Sequence, residues 1–193
     1  MTANRFASIF IAVIFFFCLQ QAHAEEGGSG HYLPGSVASF MDGVAPMKTF
    51  IVRVNLLNYE GDVGLGRRLP IAGQTALNAE ASSTGVGLSF FWRPEWGGIG
   101  ERWSYSMSAT IPFIDMKVSA DVATALGTVR RTDKASGLGD LILMPLMFNY
   151  NVTPDFNINM RLTFYAPTGS YEVGRLANTG KNFWSVEPLL GLM

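Results

Sequence analysis

Cysteine occurs once in this chain, at Cys18, and histidine twice. Cys18 lies inside the apolar run Phe6 to Leu19, which follows the lone charge of Arg5 and precedes Ala22-His23-Ala24. A charged start, a short apolar core and a small-x-small site describe a secretory signal peptide over residues 1–24. The run is too short, and followed too soon by Glu25, for a membrane-spanning helix. Cleavage removes Cys18, so disulfides and thiolate metal sites are excluded from the mature chain. It also removes His23, leaving His31 as the sole imidazole, for which a structural role is expected. No serine sits in a nucleophile elbow, and no acid and base are placed for a hydrolytic triad. Gly97-Gly-Ile-Gly100 reads as a turn, since no helix follows it. The expectation is a protein that is not an enzyme and carries neither cofactor nor metal. Fourteen basic against fifteen acidic side chains, with no basic cluster, exclude nucleic acid as a partner.

Charge is scarce at 15% of residues, below the quarter or so of a soluble domain, while 12% are aromatic and 21 are glycine. That composition suits a sheet with a greasy surface. Trp103 to Ile111 places Trp103, Tyr105, Met107, Ala109 and Ile111 on one parity, with Ser104, Ser106, Ser108 and Thr110 on the other. Phe156 to Ala166 repeats the pattern, setting Phe156, Ile158, Met160, Leu162 and Phe164 against Asn157, Asn159, Arg161, Thr163 and Tyr165. A period of two means a strand. Thr49–Tyr59, Gly85–Trp92, Leu138–Tyr150 and Asn182–Met193 read as four more, the third apolar on both parities. Six strands of about ten residues have the length a tilted strand needs to cross a bilayer.

The connections alternate in length: 60–83, 114–137 and 167–181 are long, 93–102 is shorter, and 151–155 is a tight turn. Long loops outside and short turns inside are the habit of outer-membrane barrels. The expected fold is therefore an all-β, antiparallel transmembrane β-barrel of outer-membrane type, over residues 47–193. Six strands are fewer than closure requires, so an incomplete barrel is expected, with its C-terminal strands lacking. The glycine-rich segment 25–46 is a candidate lumen plug. Alternation alone does not tell inside from outside, and a soluble periplasmic barrel holding an apolar ligand alternates as well.

Candidate lumen-lining residues are Arg53, Asn55, Asp140, Asn157, Asn159, Arg161, Tyr165 and Glu187. The arginines are expected to be braced by lumen carboxylates such as Asp140 or Glu187, since an unpaired buried charge is costly. Arg67-Arg68 and Arg130-Arg131 fall in the long loops, where they are either solvated or in touch with lipopolysaccharide.

Four segments are similar to motifs of one family. They are Glu26-Gly-Gly-Ser-Gly-His-Tyr-Leu-Pro-Gly35; Gly137-Leu-Gly-Asp-Leu141 with Pro145; Tyr165-Ala-Pro-Thr-Gly-Ser-Tyr171; and Leu176-Ala-Asn-Thr-Gly-Lys-Asn-Phe-Trp184 with Glu187-Pro188. In this order they resemble the family named for the meta-pathway of phenol degradation. The resemblance implies an outer-membrane barrel that helps small hydrophobic or aromatic compounds cross, with membrane lipid and lipopolysaccharide as its surroundings. It singles out Asp140, Tyr165 and the loop residues Asn178 and Lys181. Two other classes fit the same residues: a structural or surface-interaction barrel that transports nothing, and the soluble carrier.

Overall fold

The computed structural model describes His31 and residues 48–63 and 68–192. The expected signal peptide (1–24), the rest of the candidate plug segment and Arg67 lie outside the described residues. Nine strands follow in order: β1 (Thr49–Val63), β2 (Leu69–Ile71), β3 (Gln74–Arg93), β4 (Gly98–Ile99), β5 (Trp103–Thr124), β6 (Gly127–Leu138), β7 (Leu141–Thr153), β8 (Phe156–Ala166) and β9 (Ser185–Leu192). The one helical element among the described residues is a single 3-10 turn, Glu95–Gly97.

All the strands join one antiparallel sheet. Six of them form a row β1-β3-β5-β7-β8-β9, and β2, β4 and β6 attach to β3 or β5. This is the construction of a barrel wall, and it is open: the row has two ends, β1 and β9, which do not pair with each other among the described residues. Tight hairpins set the register. Ala72 and Gly73 both have positive φ (45° and 82°), the geometry of a turn whose twist matches its flanking strands. Pro154-Asp155 alone separates the paired Thr153 and Phe156.

Three prolines stand where a ladder tolerates a missing N–H. Pro188 lies in β9, which among the described residues pairs only with β8. Pro145 falls in the bulge between Leu143 and Leu146 of β7. Pro112 occupies the gap where β5 changes partner, from β7 at Thr110 to β6 at Phe113.

Two of the long connections anticipated from sequence are strand instead. β5 continues from Ile111 through Thr124 and returns as β6, and β3 starts at Gln74. The physical reason is an inversion of polarity within unbroken alternation. Along β5, Trp103, Tyr105, Met107, Ala109, Ile111 and Phe113 share one face with Asp115, Lys117, Ser119 and Asp121. The opposite face carries Ser104, Ser106, Ser108 and Thr110, then Ile114, Met116, Val118, Ala120 and Val122. Period two persists, but the apolar parity switches at Pro112 to Ile114, and a switch imitates the end of a strand.

The inversion divides the sheet into two zones. In the lower zone the apolar face is open: Phe50 is 63% exposed, Leu56 79% and Leu190 67%. The polar face is sheltered there, with Ser89 at 1% and Asn159 at 0%. In the upper zone the apolar residues turn to the sheltered side. Ala76, Ala79, Val118, Ala120 and Val122 pack with Leu176 and Ala177 from the 167–184 segment into the hydrophobic cluster of this zone. Burying such side chains removes apolar area from water at about 25 cal/mol per Å², so the upper zone is built as a soluble protein is.

Ion pairs fasten the same zone. Arg130 Nη2 lies 2.9 Å from Glu80, and its Nη1 donates to Asp121 and the Asn78 carbonyl. Asn78 sits at the β3 bulge with φ of 47°, a conformation asparagine tolerates better than most. Arg175 donates to Asp133 and to the Lys134 carbonyl, tying the 167–184 segment onto β6. Arg131 donates to Gln74. Arg130 and Arg131 are therefore strand residues with protein partners, not loop charges.

Leu176 is the plug of the upper cluster at 3% exposure. Leu176→Ala is expected to cost about 2–3 kcal/mol and to make the 167–184 segment more susceptible to limited proteolysis. Unchanged cleavage there would contradict the packing described.

Candidate functional site

The connection between β6 and β7 is two residues long, Gly139 and Asp140, and it is locked in place. Gly139 N–H donates to the Pro112 carbonyl at 2.9 Å. A Cβ on Gly139 would stand 2.8 Å from the Ile114 side chain. Asp140 is consequently held at the level where the sheltered face turns from polar to apolar.

Its carboxylate is fully occupied. Oδ2 accepts from His31 Nε2 at 2.7 Å and from Lys181 N–H at 2.8 Å. Oδ1 accepts from Gly169 N–H at 2.9 Å. Burial raises the pKa of this carboxyl, but the hydrogen bonds from His31, Gly169 and Lys181 outweigh it and hold Asp140 below the usual carboxylate value. The donors Gly169 and Lys181 are brought together by a close backbone crossing, because a Cβ on Gly180 would meet the Gly169 backbone at 2.6 Å.

His31 is clamped on every side. With Nε2–H directed at Asp140, Nδ1 faces Ser185 Oγ at 2.7 Å. Its ring stacks on Tyr165 at 4.8 Å between centroids and meets the edge of Phe183 at 5.1 Å. The side chains of His31 and Asp140 are only 6% and 4% exposed. Tyr165 in turn donates its hydroxyl to Glu187 Oε2 at 2.7 Å. Residues 31, 140, 165, 181, 185 and 187 thus form one network across the start of β7, the end of β8 and the start of β9.

Hydroxyl, imidazole and carboxylate in line are the order of a hydrolytic triad. Here the N–H groups of Gly169 and Lys181 are both directed to the carboxylate member, Asp140. What the arrangement does is hold His31 in one orientation and join three strands at their ends. Among the described residues no three His, Cys, Asp or Glu side chains are placed to hold a metal.

The other sequence candidates line the lower zone. Asn159 is buried; its amide donates to the Phe148 carbonyl, and its oxygen accepts from Arg161 Nε. Asn157 lies one inward position further down β8, opposite Asn151. Asn55 donates to Ser89 at 2.9 Å, and Ser89 and Thr110 are 2.7 Å apart, a polar string across β1, β3 and β5. The Arg53 guanidinium lies over the Phe91 ring at 4.8 Å. Asn178 does not join the His31 network; it folds the 167–184 segment on itself through the Glu172 N–H and carbonyl.

Two corrections follow. The side chain that meets Asp140 is His31, and the one that meets Glu187 is the Tyr165 phenol; neither is an arginine. Sequence reading also missed Ser185 and Phe183, and expected a structural role of His31 without naming its partners. The available signal was that His31, Asp140, Tyr165 and Phe183 belong to four separate motifs, all of which meet here.

Residues 67–193 match the model of a family described as "Putative MetA-pathway of phenol degradation". No curated protein and no solved structure gives a match.

Asp140→Asn keeps the shape but puts an amide among three donors. It is expected to lower stability by about 1–3 kcal/mol, read as the thermal unfolding midpoint in detergent at pH 7. The lowered pKa of Asp140 means that its contribution is complete above the ordinary carboxylate value and fades as pH falls through the folded-state value. The difference between the two proteins should therefore close in acid, below about pH 4. A gap that stays constant down to the lowest pH at which both fold would contradict the ionised role of Asp140.

Proposed function

This chain belongs to the MetA-pathway family of phenol degradation, and from that premise we propose that it is an outer-membrane β-barrel protein through which small hydrophobic or aromatic compounds cross. The observation that carries the reading is the exposed apolar face of the lower zone, backed by a sheltered face of Ser, Thr, Asn and Arg. Such an arrangement is inside out for water and correct for lipid.

The dimensions agree. Trp103 to Phe113, the apolar stretch of β5, spans about 34 Å along the strand, or about 26 Å of height at a tilt of about 40°. The expected lipid-facing band is about 25 Å tall. Trp103 and Phe156, both partly exposed, gather with Tyr150 at the lower edge, where an aromatic belt belongs. Trp103 and Tyr150 are paired and their rings lie 4.8 Å apart. No helix among the described residues is long and apolar enough to cross a membrane, which leaves strands as the spanning elements of this proposal.

Selectivity in such a passage comes from its width and the groups lining it. The lining here joins hydrogen-bonding side chains (Asn55, Ser89, Thr110, Asn159) with apolar ones (Phe91, Met147). A mixed wall suits a phenol-like solute, with one polar group on an aromatic body. His31 lies at the upper end of that lining with both ring nitrogens engaged, and the protein is proposed to be a passage and not an enzyme. A soluble carrier needs its apolar face inward, whereas Met107, Ile111 and their neighbours turn it outward.

Met107 lies mid-band, opposite Trp92. Met107→Arg is expected to cost about 2–4 kcal/mol of membrane assembly. Wild-type protein should fractionate with the outer membrane and run faster unboiled than boiled on a detergent gel, and the arginine variant should lose much of the fast band. Flux of phenol into vesicles containing the full chain tests the transport part. Recovery as a soluble periplasmic protein without a heat-dependent shift would sink the membrane reading, and a folded membrane protein giving no flux would leave a structural barrel.

A further inference from the structure

The upper zone carries two lysines that its ion-pair scheme does not explain. Lys117 of β5 and Lys134 of β6 are direct register partners. Both are exposed and share the outward parity of Phe113 and Leu138. Like charges directly opposite on one face of an antiparallel pair are destabilising. Elsewhere in this zone Arg130 is matched by Glu80 and Asp121 and Arg175 by Asp133 and Glu172, while Arg131 donates to the Gln74 amide oxygen. No ion pair is recorded for the ammonium of Lys117 or Lys134 among the described residues.

Their height is informative. Phe113 and Leu138 form the last outward apolar rung, Asp115 and Ser136 come next, and Lys117 and Lys134 follow. Four residues advance about 13 Å along a strand, or about 10 Å in height at the usual tilt. Lysine stems can lie along the wall and lower their ammonium groups toward the polar headgroup layer. The hydroxyl of Ser82 lies on the same rung, on the β3 side of Lys117, and the rung continues to Glu60 of β1, two strands from Lys117. Asp115 is the one carboxylate between this pair and the apolar band on β5 and β6.

We propose that Lys117 and Lys134 form a docking site for a phosphate group of a phosphorylated membrane glycolipid, of the lipopolysaccharide type, packed against the outer face of β3, β5 and β6. One phosphate between the two ammonium groups converts a repulsive rung into an attractive one. The acyl chains then run down the apolar face past Phe113, Leu138 and Ile111. This rests on the membrane reading above and adds to it a leaflet and a lipid class: the β5–β6 hairpin belongs to the face of the membrane that carries the glycolipid.

The test uses the full chain folded in detergent micelles, with native mass spectrometry counting bound lipid A. Wild type is expected to retain lipid A bearing its phosphates and to retain the dephosphorylated lipid far less. K117A/K134A should lose about tenfold or more of the phosphate-dependent binding, while D115N should gain. Equal retention of both lipids by wild type, or equal binding by wild type and K117A/K134A, overturns the proposal. So does displacement by millimolar inorganic phosphate, which would mark a site for free anions. The heat-dependent gel shift of wild type reports the membrane reading separately; a shift without phosphate dependence removes this inference alone. Should the double variant lose its own shift, K134Q carries the test, with at least a twofold loss expected and equal binding overturning the proposal.

Discussion

Successive residues of a strand give their side chains to opposite faces of the sheet, so a strand that exchanges which face is apolar must exchange which parity of its sequence is apolar. The whole architecture depends on how this chain uses that constraint. Along β5 the apolar side chains stand on the outward parity up to Phe113 and on the inward parity from Ile114. β3 follows, with Trp92, Phe90, Leu88 and Val86 outward in the lower zone and Ala79 and Ala76 buried in the upper one. Two zones with opposite solvent preferences share continuous backbone ladders, and the ladders need no repair where the preference reverses. A single proline at the partner change of β5 is the one interruption there, and it falls where no N–H is called for.

The same constraint decides where polar anchors can sit. At the reversal the inner face passes from hydrogen-bonding side chains to a hydrophobic cluster, and a polar group there must bring its own partners. Asp140 does so with one imidazole and two backbone N–H groups. Those partners come from chain segments far apart in sequence, and the glycine-to-glycine crossing of Gly169 and Gly180 lets the backbone come close enough to supply them. The carboxylate therefore organises its surroundings more than it stabilises them, since a buried charge with its hydrogen bonds removed is a liability.

The legible part of the fold was the part with one clean parity. Trp103–Ile111 and Phe156–Ala166 announce their faces in the sequence, and both are wall strands. β7 was ambiguous because it is apolar on both parities. Its bulge at Pro145 explains why: Leu143 faces outward opposite Ala109, and one extra residue later Leu146 faces outward opposite Leu162. An odd insertion moves the outward set from odd to even numbers, so the two halves look contradictory until the bulge is known. The upper halves of β3 and β5 were hidden by the polarity reversal, which reads as the end of a strand. Of the site, Asp140, Tyr165, Lys181 and Glu187 were named from sequence. For His31 a structural role was expected but no partner was named, because a lone imidazole has no neighbours to argue from; its partners lie 109 and 154 residues away.

A reversal of this kind also sorts the charges. In the lower zone arginines face inward, Arg161 against Asn159 and Arg53 over an aromatic ring, where an outward charge would meet the apolar band. In the upper zone charges stand on the outward parity as well, and there most of them cancel locally. Arg130 meets two carboxylates across three strands, so its side chain acts as a rung of the collar. Asp121 has its pKa lowered first by the Asn78 amide and then, against burial, by Arg130, so the bulge and the ion pair support the same carboxylate. Against this background, a rung on which two ammonium groups stand directly opposite each other, with Glu60 two strands from Lys117, is a departure from the local rule. A departure tolerated at the edge of an apolar band is most simply understood as half of a contact whose other half is supplied from the surrounding medium.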